Sequence, residues 1–124
     1  MSDSVIRDRS KLLARQVVLL CRQLRAQGVE NALLNQLLRS GTSVGANLHE
    51  AQYAQSGRDF VSKLEIALKE CNETDYWLEL LADTSSLPAQ EAQKTRAICT
   101  ELRRMLVSAI KTMKEKQTQS DQDK

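Results

Sequence analysis

Residues that interrupt helices are scarce in this sequence. Its 124 residues include only four glycines and one proline, and aromatic residues make up 3% of the chain. Alanine, leucine, glutamine and the long charged residues, which favour helices, are abundant. A chain with so few helix-breaking residues is expected to form a small number of long helices. Its length corresponds to one domain around one hydrophobic core.

Further features that the sequence lacks narrow the class of protein. No run of about 18 apolar residues occurs, so we expect no membrane-spanning helix, and the N-terminus has no apolar segment typical of a secretory signal. The three cysteines, Cys21, Cys71 and Cys99, are widely spaced and odd in number, which favours reduced core thiols in a cytoplasmic protein. Because no Cys-x-x-Cys pair is present and the single histidine, His49, has no cysteine neighbour, we expect neither a metal site nor a cofactor.

The positions of the helix breakers divide the chain into four segments. Gly28 ends the first helix, Ser56 with Asp59 approximates the capping box of the third, and Pro88 suits the first turn of the fourth. The spacing of apolar residues then predicts helices at about residues 3–27, 30–54, 57–83 and 88–116. Residues 1–117 should form a single domain, followed in residues 118–124 by a polar tail that should fray.

The third helix carries a continuous heptad seam. Its apolar or small residues recur at alternating steps of four and three, at Phe60, Leu64, Ala67, Cys71, Thr74, Leu78 and Leu81. Because the connections between the helices are short, neighbouring helices should run antiparallel. The sequence therefore predicts an all-α, up-down-up-down four-helix bundle.

Helices two, three and four also carry a second apolar stripe. A monomeric bundle needs only one such stripe per helix, so the extra residues suggest burial against another copy of the chain. The candidates for this interface are Leu34, Leu38, Ile66, Trp77 and Leu80. The simpler alternative is a wide stripe that faces the bundle core.

Two glycines lie four residues apart within the second helix. Gly41 and Gly45 cannot form a phosphate-binding loop, because no strand precedes them and no Gly-Lys-Ser/Thr sequence follows. Glycine within a helix costs about 0.5–1 kcal/mol relative to alanine. The expected reason for both is close packing against another backbone.

Polar residues occur where the helical periodicity predicts burial. Asn47 falls on the core-facing seam of helix two, and Glu73 lies in the second stripe of helix three. A buried amide needs partners, because an unsatisfied one costs about 1–3 kcal/mol. We therefore expect a polar cluster of Arg39, Asn47, Glu50 and Glu73 between helices or subunits, with a role in register and oligomer choice.

No constellation typical of catalysis is present. A di-iron bundle needs Glu-x-x-His on two helices, and no glutamate precedes His49 by three residues. Ser40 and Ser43 have no acid–base partner other than this histidine, which at such a position is usually structural or exposed. The chain is therefore interpreted as a non-enzyme.

Charge is segregated among the helices. Residues 1–27 hold six basic and two acidic residues, residues 88–117 hold seven and three, and residues 57–87 hold three and seven. Helices one and four are neighbours in an up-down bundle, so their basic residues predict a shared face that could contact nucleic-acid phosphates. The candidates are Arg7, Lys11, Arg15, Arg22, Arg25, Arg103, Arg104, Lys111 and Lys114.

Other interpretations of these charges stay open. The basic residues could simply be solvated, or they could meet the acidic third helix of a neighbouring subunit. Helices one and four contain no aromatic residue for base stacking, so any binding should be salt-sensitive and directed to the backbone rather than to the base sequence. The alternative function is a scaffold for protein partners without a role in nucleic-acid binding.

Two segments resemble a known bacterial family. The pattern Ser43-x-x-x-Asn47-x-x-Glu50 is followed by a second pattern formed by Ala67, Leu68, Glu70, Glu73, Tyr76, Trp77 and Leu78. Together they resemble the four-helix-bundle family of 23S rRNA-intervening sequence proteins, which is related to the accessory variability determinant proteins of diversity-generating retroelements. The resemblance implies a homopentameric ring and RNA or DNA binding. For the retroelement branch it also implies a reverse transcriptase as partner.

Overall fold

The computed structural model describes residues 3–122, which form four helices and contain no strand. The helices are α1 (Asp3–Ala26), α2 (Asn31–Ala51), α3 (Gly57–Asp83) and α4 (Ala89–Gln122). The all-helical fold with four segments is therefore confirmed. Within the described part of the chain, no helix combines the length and the apolar character needed to cross a membrane.

Each helix packs against two neighbours, in the cyclic order α1, α2, α3, α4. Ser10 lies opposite Gly45, and Val17 lies opposite Gly41. Residue numbers therefore increase along α1 in the direction in which they decrease along α2. The two helices are therefore antiparallel. Short loops connect the remaining neighbours, and α1 closes the bundle by packing against α4.

The predicted seam of α3 is buried with one exception. Leu64, Ala67, Cys71, Thr74, Leu78 and Leu81 all lie in the core, whereas Phe60 is only half-buried and Val61 is buried in its place. Phe60 belongs to the first turn of α3, at the end of the bundle, where the core closes off.

The helix ends follow the local sequence. Gly28 has a φ of +85°, and Val29 N–H donates to Leu24 O at 3.0 Å, as in a Schellman C-cap. Ser56 caps α3 by accepting a hydrogen bond from Asp59 N–H at 3.1 Å. At the end of α2, Tyr53 N–H donates to Glu50 O at 2.9 Å, and this tighter turn ends the helix at Ala51, before the predicted limit.

The fourth helix is longer than predicted. It continues beyond the expected end at about residue 116 to Gln122, because no glycine or proline follows Ala89 and its glutamines, lysines and glutamates favour helix. Residues 118–122 are thus helical, and fraying of this tail stays a prediction. Residues 123 and 124 lie outside the described part of the chain.

Candidate interaction surfaces

The glycines of α2 lie on the side of that helix that packs against α1. Gly41 is buried against Val17, and Gly45 lies beside Ser10. The close approach is therefore made within one chain, between α1 and α2.

The predicted polar cluster forms only in part. Arg39 of α2 donates from Nη1 to Glu70 Oε2 at 3.1 Å and from Nη2 to Glu73 Oε2. These hydrogen bonds raise the pKa of Arg39, the one with Glu73 most strongly. A single guanidinium thus joins α2 to two carboxylates on successive turns of α3.

The other two predicted members of the cluster lie elsewhere, which corrects the sequence interpretation. Asn47 is half-buried, and its Nδ2 donates at 2.8 Å to Ser43 O, one turn earlier in its own helix. Glu50 is exposed and pairs with Lys63 Nζ at 3.1 Å. The heptad pattern placed Asn47 in the core, but Leu48 and Ala51 occupy the buried positions of this part of α2.

Trp77 extends the cluster along α3. Its indole Nε1 donates to Glu73 Oε2 at 3.2 Å, and its ring contacts Tyr76 edge-on. Ile66 and Leu80 lie on the same stripe, at helical spacing from Glu73 and Trp77. We call the surface formed by Arg39, Glu73, Ile66, Trp77 and Leu80 the α2–α3 face.

Two of the predicted interface residues do not belong to the α2–α3 face. Leu34 is fully buried, and Cys21 S–H donates to its carbonyl oxygen, so it is a core residue and cannot contact another copy. Leu38 is half-buried and lies one turn before Thr42, which lines the groove between α1 and α2. Leu38 therefore lies on the α1 side of α2, opposite the α2–α3 face. By contrast, Ile66 keeps 38% of its surface exposed.

Five of the six basic residues of α1 form one stripe along the helix. Residues of an α-helix advance by about 100° each, so Arg7, Lys11, Arg15, Arg22 and Arg25 all fall on one side. We call these five residues the α1 stripe. Arg7 and Lys11 line the α1–α2 groove, and Arg25 Nε donates to Asn31 Oδ1 of α2 at 3.1 Å. The two ends of the α1 stripe therefore lie on the α2 side of α1, and Arg15 and Arg22 between them are exposed.

Three of the four basic candidates of α4, namely Arg103, Lys111 and Lys114, lie on the α3 side instead. Lys111 and Lys114 line the groove between α3 and α4, and Lys114 Nζ lies 3.6 Å from Glu65 Oε2 of α3. Arg103 falls on the same side at helical spacing and is half-buried, whereas Arg104 is exposed.

The prediction of one shared face on helices one and four is therefore wrong for the candidates that lie beside other helices, namely Arg7, Lys11, Arg25, Lys111 and Lys114. The groove between α1 and α4 contains none of the nine basic candidates; it is lined by Gln16, Leu19, Leu20, Gln23, Glu91, Lys94 and Thr95. Adjacent helices can direct their basic residues to different sides, and net charge per helix does not reveal which side. The α1–α2 and α3–α4 grooves lie on opposite sides of the bundle, so Arg7 and Lys11 are separated from Lys111 and Lys114.

Five of the seven acidic residues of α3 form ion pairs within the chain. Arg96 of α4 contacts Asp75 at 2.9 Å and Glu79 at 2.9 Å, and its hydrogen bond to Asp75 is the main reason for its raised pKa. Sequence reasoning missed this network and the buried hydrogen bond from Thr74 Oγ1 to Ser40 Oγ, 3.0 Å long. The hydrogen bond between Thr74 and Ser40 could have been predicted, because both residues fall on the core-facing seams of their helices.

The described side chains show no group of three or more histidine, cysteine, aspartate or glutamate residues arranged to hold a metal ion. Cys21, Cys71 and Cys99 are buried and free. Burial raises the pKa of Cys21, and the Cys71 thiol together with burial raises the pKa of Cys99. His49 is exposed and contacts the ring of Tyr53.

The fold and its surfaces define a small antiparallel four-helix bundle whose outer faces carry charged and apolar side chains. The family model for 23S rRNA-intervening sequence proteins matches residues 2–108. The chain therefore belongs to this family. The further relation to accessory variability determinant proteins stays a prediction.

A solved structure shares this fold. It is a crystal structure from Bacteroides thetaiotaomicron VPI-5482, described as a protein with unknown function from the S23 ribosomal protein family. The two chains are 45% identical, the match covers 90% of this chain and 99% of the other, and the TM-score is 0.86. No curated protein matches the chain.

Proposed function

We propose that the chain is a non-enzymatic, cytoplasmic, homo-oligomeric bundle that binds nucleic acid through phosphate contacts on the α1 stripe. One observation carries the proposal: five basic side chains share one side of α1. Arg7 and Arg25 lie 18 positions apart, which corresponds to about 27 Å along the helix. The stripe can therefore follow a nucleic-acid backbone over several phosphates.

The charges of the α1 stripe are not neutralised by ion pairs within the described part of the chain. Among the described side chains, no carboxylate forms an ion pair with any of the five, whereas Arg9, Arg96 and Lys114 are all paired within the chain. Arg7 has a neutral neighbour, Gln52, whose amide oxygen can accept two hydrogen bonds from it, at 3.1 and 3.3 Å. Unpaired cations release counterions from a polyanion without first breaking a protein ion pair.

Self-association would multiply these contacts. The α2–α3 face exposes Ile66 beside the half-buried Trp77 and Leu80, and apolar surface of this kind supports an interface between copies. The family resemblance favours a pentamer. A ring that presents several α1 stripes would gain avidity for a long polyanion. The description of the neighbour as a member of an S23 ribosomal protein family is consistent with RNA as the ligand.

The experiment is fluorescence anisotropy of a labelled structured RNA at low and at physiological salt. We expect binding whose affinity falls steeply with salt. The variant R15E/R22E should weaken binding by about tenfold or more at low salt, because it reverses two charges on the stripe. Both side chains are exposed, so the fold should not change.

A matched control separates the α1 stripe from net charge. The variant R104E/K111E makes the same change of charge at exposed positions of α4, away from the stripe. It should retain most of the affinity. Equal loss in both variants would mean that only the net charge of the protein matters, and an absence of binding by the intact protein at low salt would overturn the proposal.

A second candidate function is a scaffold for a protein partner, such as a reverse transcriptase. The groove between α3 and α4 favours it, because Leu68, Val107 and Ile110 form an apolar floor within a groove of about 970 Å³. Val107 is 50% exposed. In that case V107E should abolish capture of a co-expressed partner while R15E/R22E has no effect on it.

A further inference from the structure

The most exposed large apolar side chain of the described residues lies just after α2. Tyr53 keeps 73% of its surface exposed. Its ring contacts that of His49, with the two centroids 5.6 Å apart and the planes tilted by 60°. The contact places two aromatic rings side by side at the end of the helix, and it leaves most of the tyrosine ring uncovered.

This aromatic pair adjoins the basic end of the α1–α2 groove. His49 lines that groove together with Arg7, Lys11 and Gln52, and the groove has a volume of about 410 Å³. Gly45 contributes no side chain to the groove. Asp8 is the only carboxylate that lines it, so cations outnumber anions at this end.

From this arrangement we infer that the end of the groove binds single-stranded nucleic acid. One base stacks on Tyr53, and the adjacent phosphates contact Arg7 and Lys11. The inference rests on the proposed function and specifies its ligand. Bases of a duplex are stacked on one another, whereas those of a single strand offer a free face to an aromatic side chain.

The sequence alone did not indicate this site, because the basic and aromatic residues lie on different helices. Helix one supplies the cations but has no aromatic residue. The turn after α2 supplies the ring, and antiparallel packing brings the start of α1 to the end of α2. Stacking on a tyrosine tolerates every base, so binding here does not depend on the nucleotide sequence.

The test compares one labelled strand of about 12 nucleotides, a length within the range that stacking proteins cover, with the same strand annealed to its complement. Anisotropy titrations at low salt are made with the wild type, Y53A and Y53F. We expect the wild type to prefer the single strand. Y53A should lose about tenfold of its single-strand affinity and keep its duplex affinity, and Y53F should bind like the wild type because it retains the ring.

The matched control is Y76A, which removes another tyrosine that is 55% exposed, on α3. It should bind both ligands normally. Unchanged single-strand affinity in Y53A, or a wild-type preference for the duplex, would overturn the inference. If R15E/R22E still weakens binding in that case, the proposed function stands without the stacking site, whereas no binding of either ligand would overturn both.

Discussion

Gly41 of α2 lies directly against Val17 of α1. A Cβ atom at position 41 would approach both Cγ atoms of Val17 to 2.8 Å, which is shorter than carbon atoms in proteins tolerate. Valine in a helix has essentially one side-chain conformation, so Val17 cannot turn away. The distance between the two helices is therefore set by the absence of a side chain at this one position.

The two glycines of α2 should respond differently to alanine. G41A should destabilise the protein by about 1–2 kcal/mol, because the cost of overpacking exceeds the gain in helix propensity. At position 45 a Cβ atom would meet Ser10 Oγ at 3.4 Å, an ordinary contact, so G45A should be neutral or stabilise by up to about 1 kcal/mol. Urea denaturation followed by circular dichroism measures both, and equal effects would contradict the packing argument.

The buried hydroxyl pair between α2 and α3 should behave as a unit. Thr74 Oγ1 donates to Ser40 Oγ at 3.0 Å, and it also lies 2.8 Å from Glu70 O. T74V should cost about 1 kcal/mol, because it removes a buried hydrogen bond. In the double variant S40A/T74V the loss should be smaller than the sum of the single losses, since both remove the same bond. Strict additivity in denaturation experiments would show that the two hydroxyls do not interact.

The fold was predictable because three features of the sequence indicate the same four-helix arrangement. They are the helix propensity of its residues, the periodicity of its apolar residues and the positions of its helix-breaking residues. The seam of α3 was identified almost completely, since each of its residues packs into one continuous core. The seam prediction placed Phe60 in the core, where the structure has Val61. The reason is that the first turn of a helix at the end of a bundle is only partly covered. The end of α4 was placed too early because polar residues such as Gln117 and Gln119 favour helix even where no core requires it.

The candidate surfaces were less predictable, because they depend on how each helix is rotated about its axis. The heptad pattern assigned Asn47 to the core, whereas a small rotation of α2 places it at the edge and satisfies its amide within its own helix. The same kind of rotation turns Lys11 towards α2 and Lys111 towards α3, which separates these basic residues of neighbouring helices. Net charge and heptad position do not specify these angles.

Self-association through the α2–α3 face can be tested with one added charge. Light scattering of the wild type should give about five times the chain mass of 14.0 kDa if the ring is a pentamer. I66R should lower this mass and retain the helical circular dichroism, because Ile66 is 38% exposed and its replacement leaves the core intact. L19R is the control, since Leu19 is 55% exposed and lines the α1–α4 groove. Unchanged mass in I66R would exclude this face as the interface.

The three thiols should be unreactive in the folded protein. Thiolates are the reactive form of cysteine, and Cys21, Cys71 and Cys99 are each about 1% exposed. The raised pKa values of Cys21 and Cys99 keep both thiols protonated at mildly alkaline pH. The neighbouring Cys99 lowers the pKa of Cys71, so burial alone protects that thiol. Ellman's reagent at about pH 8, somewhat below the ordinary cysteine pKa, should therefore modify none of them rapidly in buffer, and all three in guanidinium chloride. Rapid modification of one thiol in buffer would contradict the packing of the core around it and would show that the bundle opens locally on the timescale of the reaction.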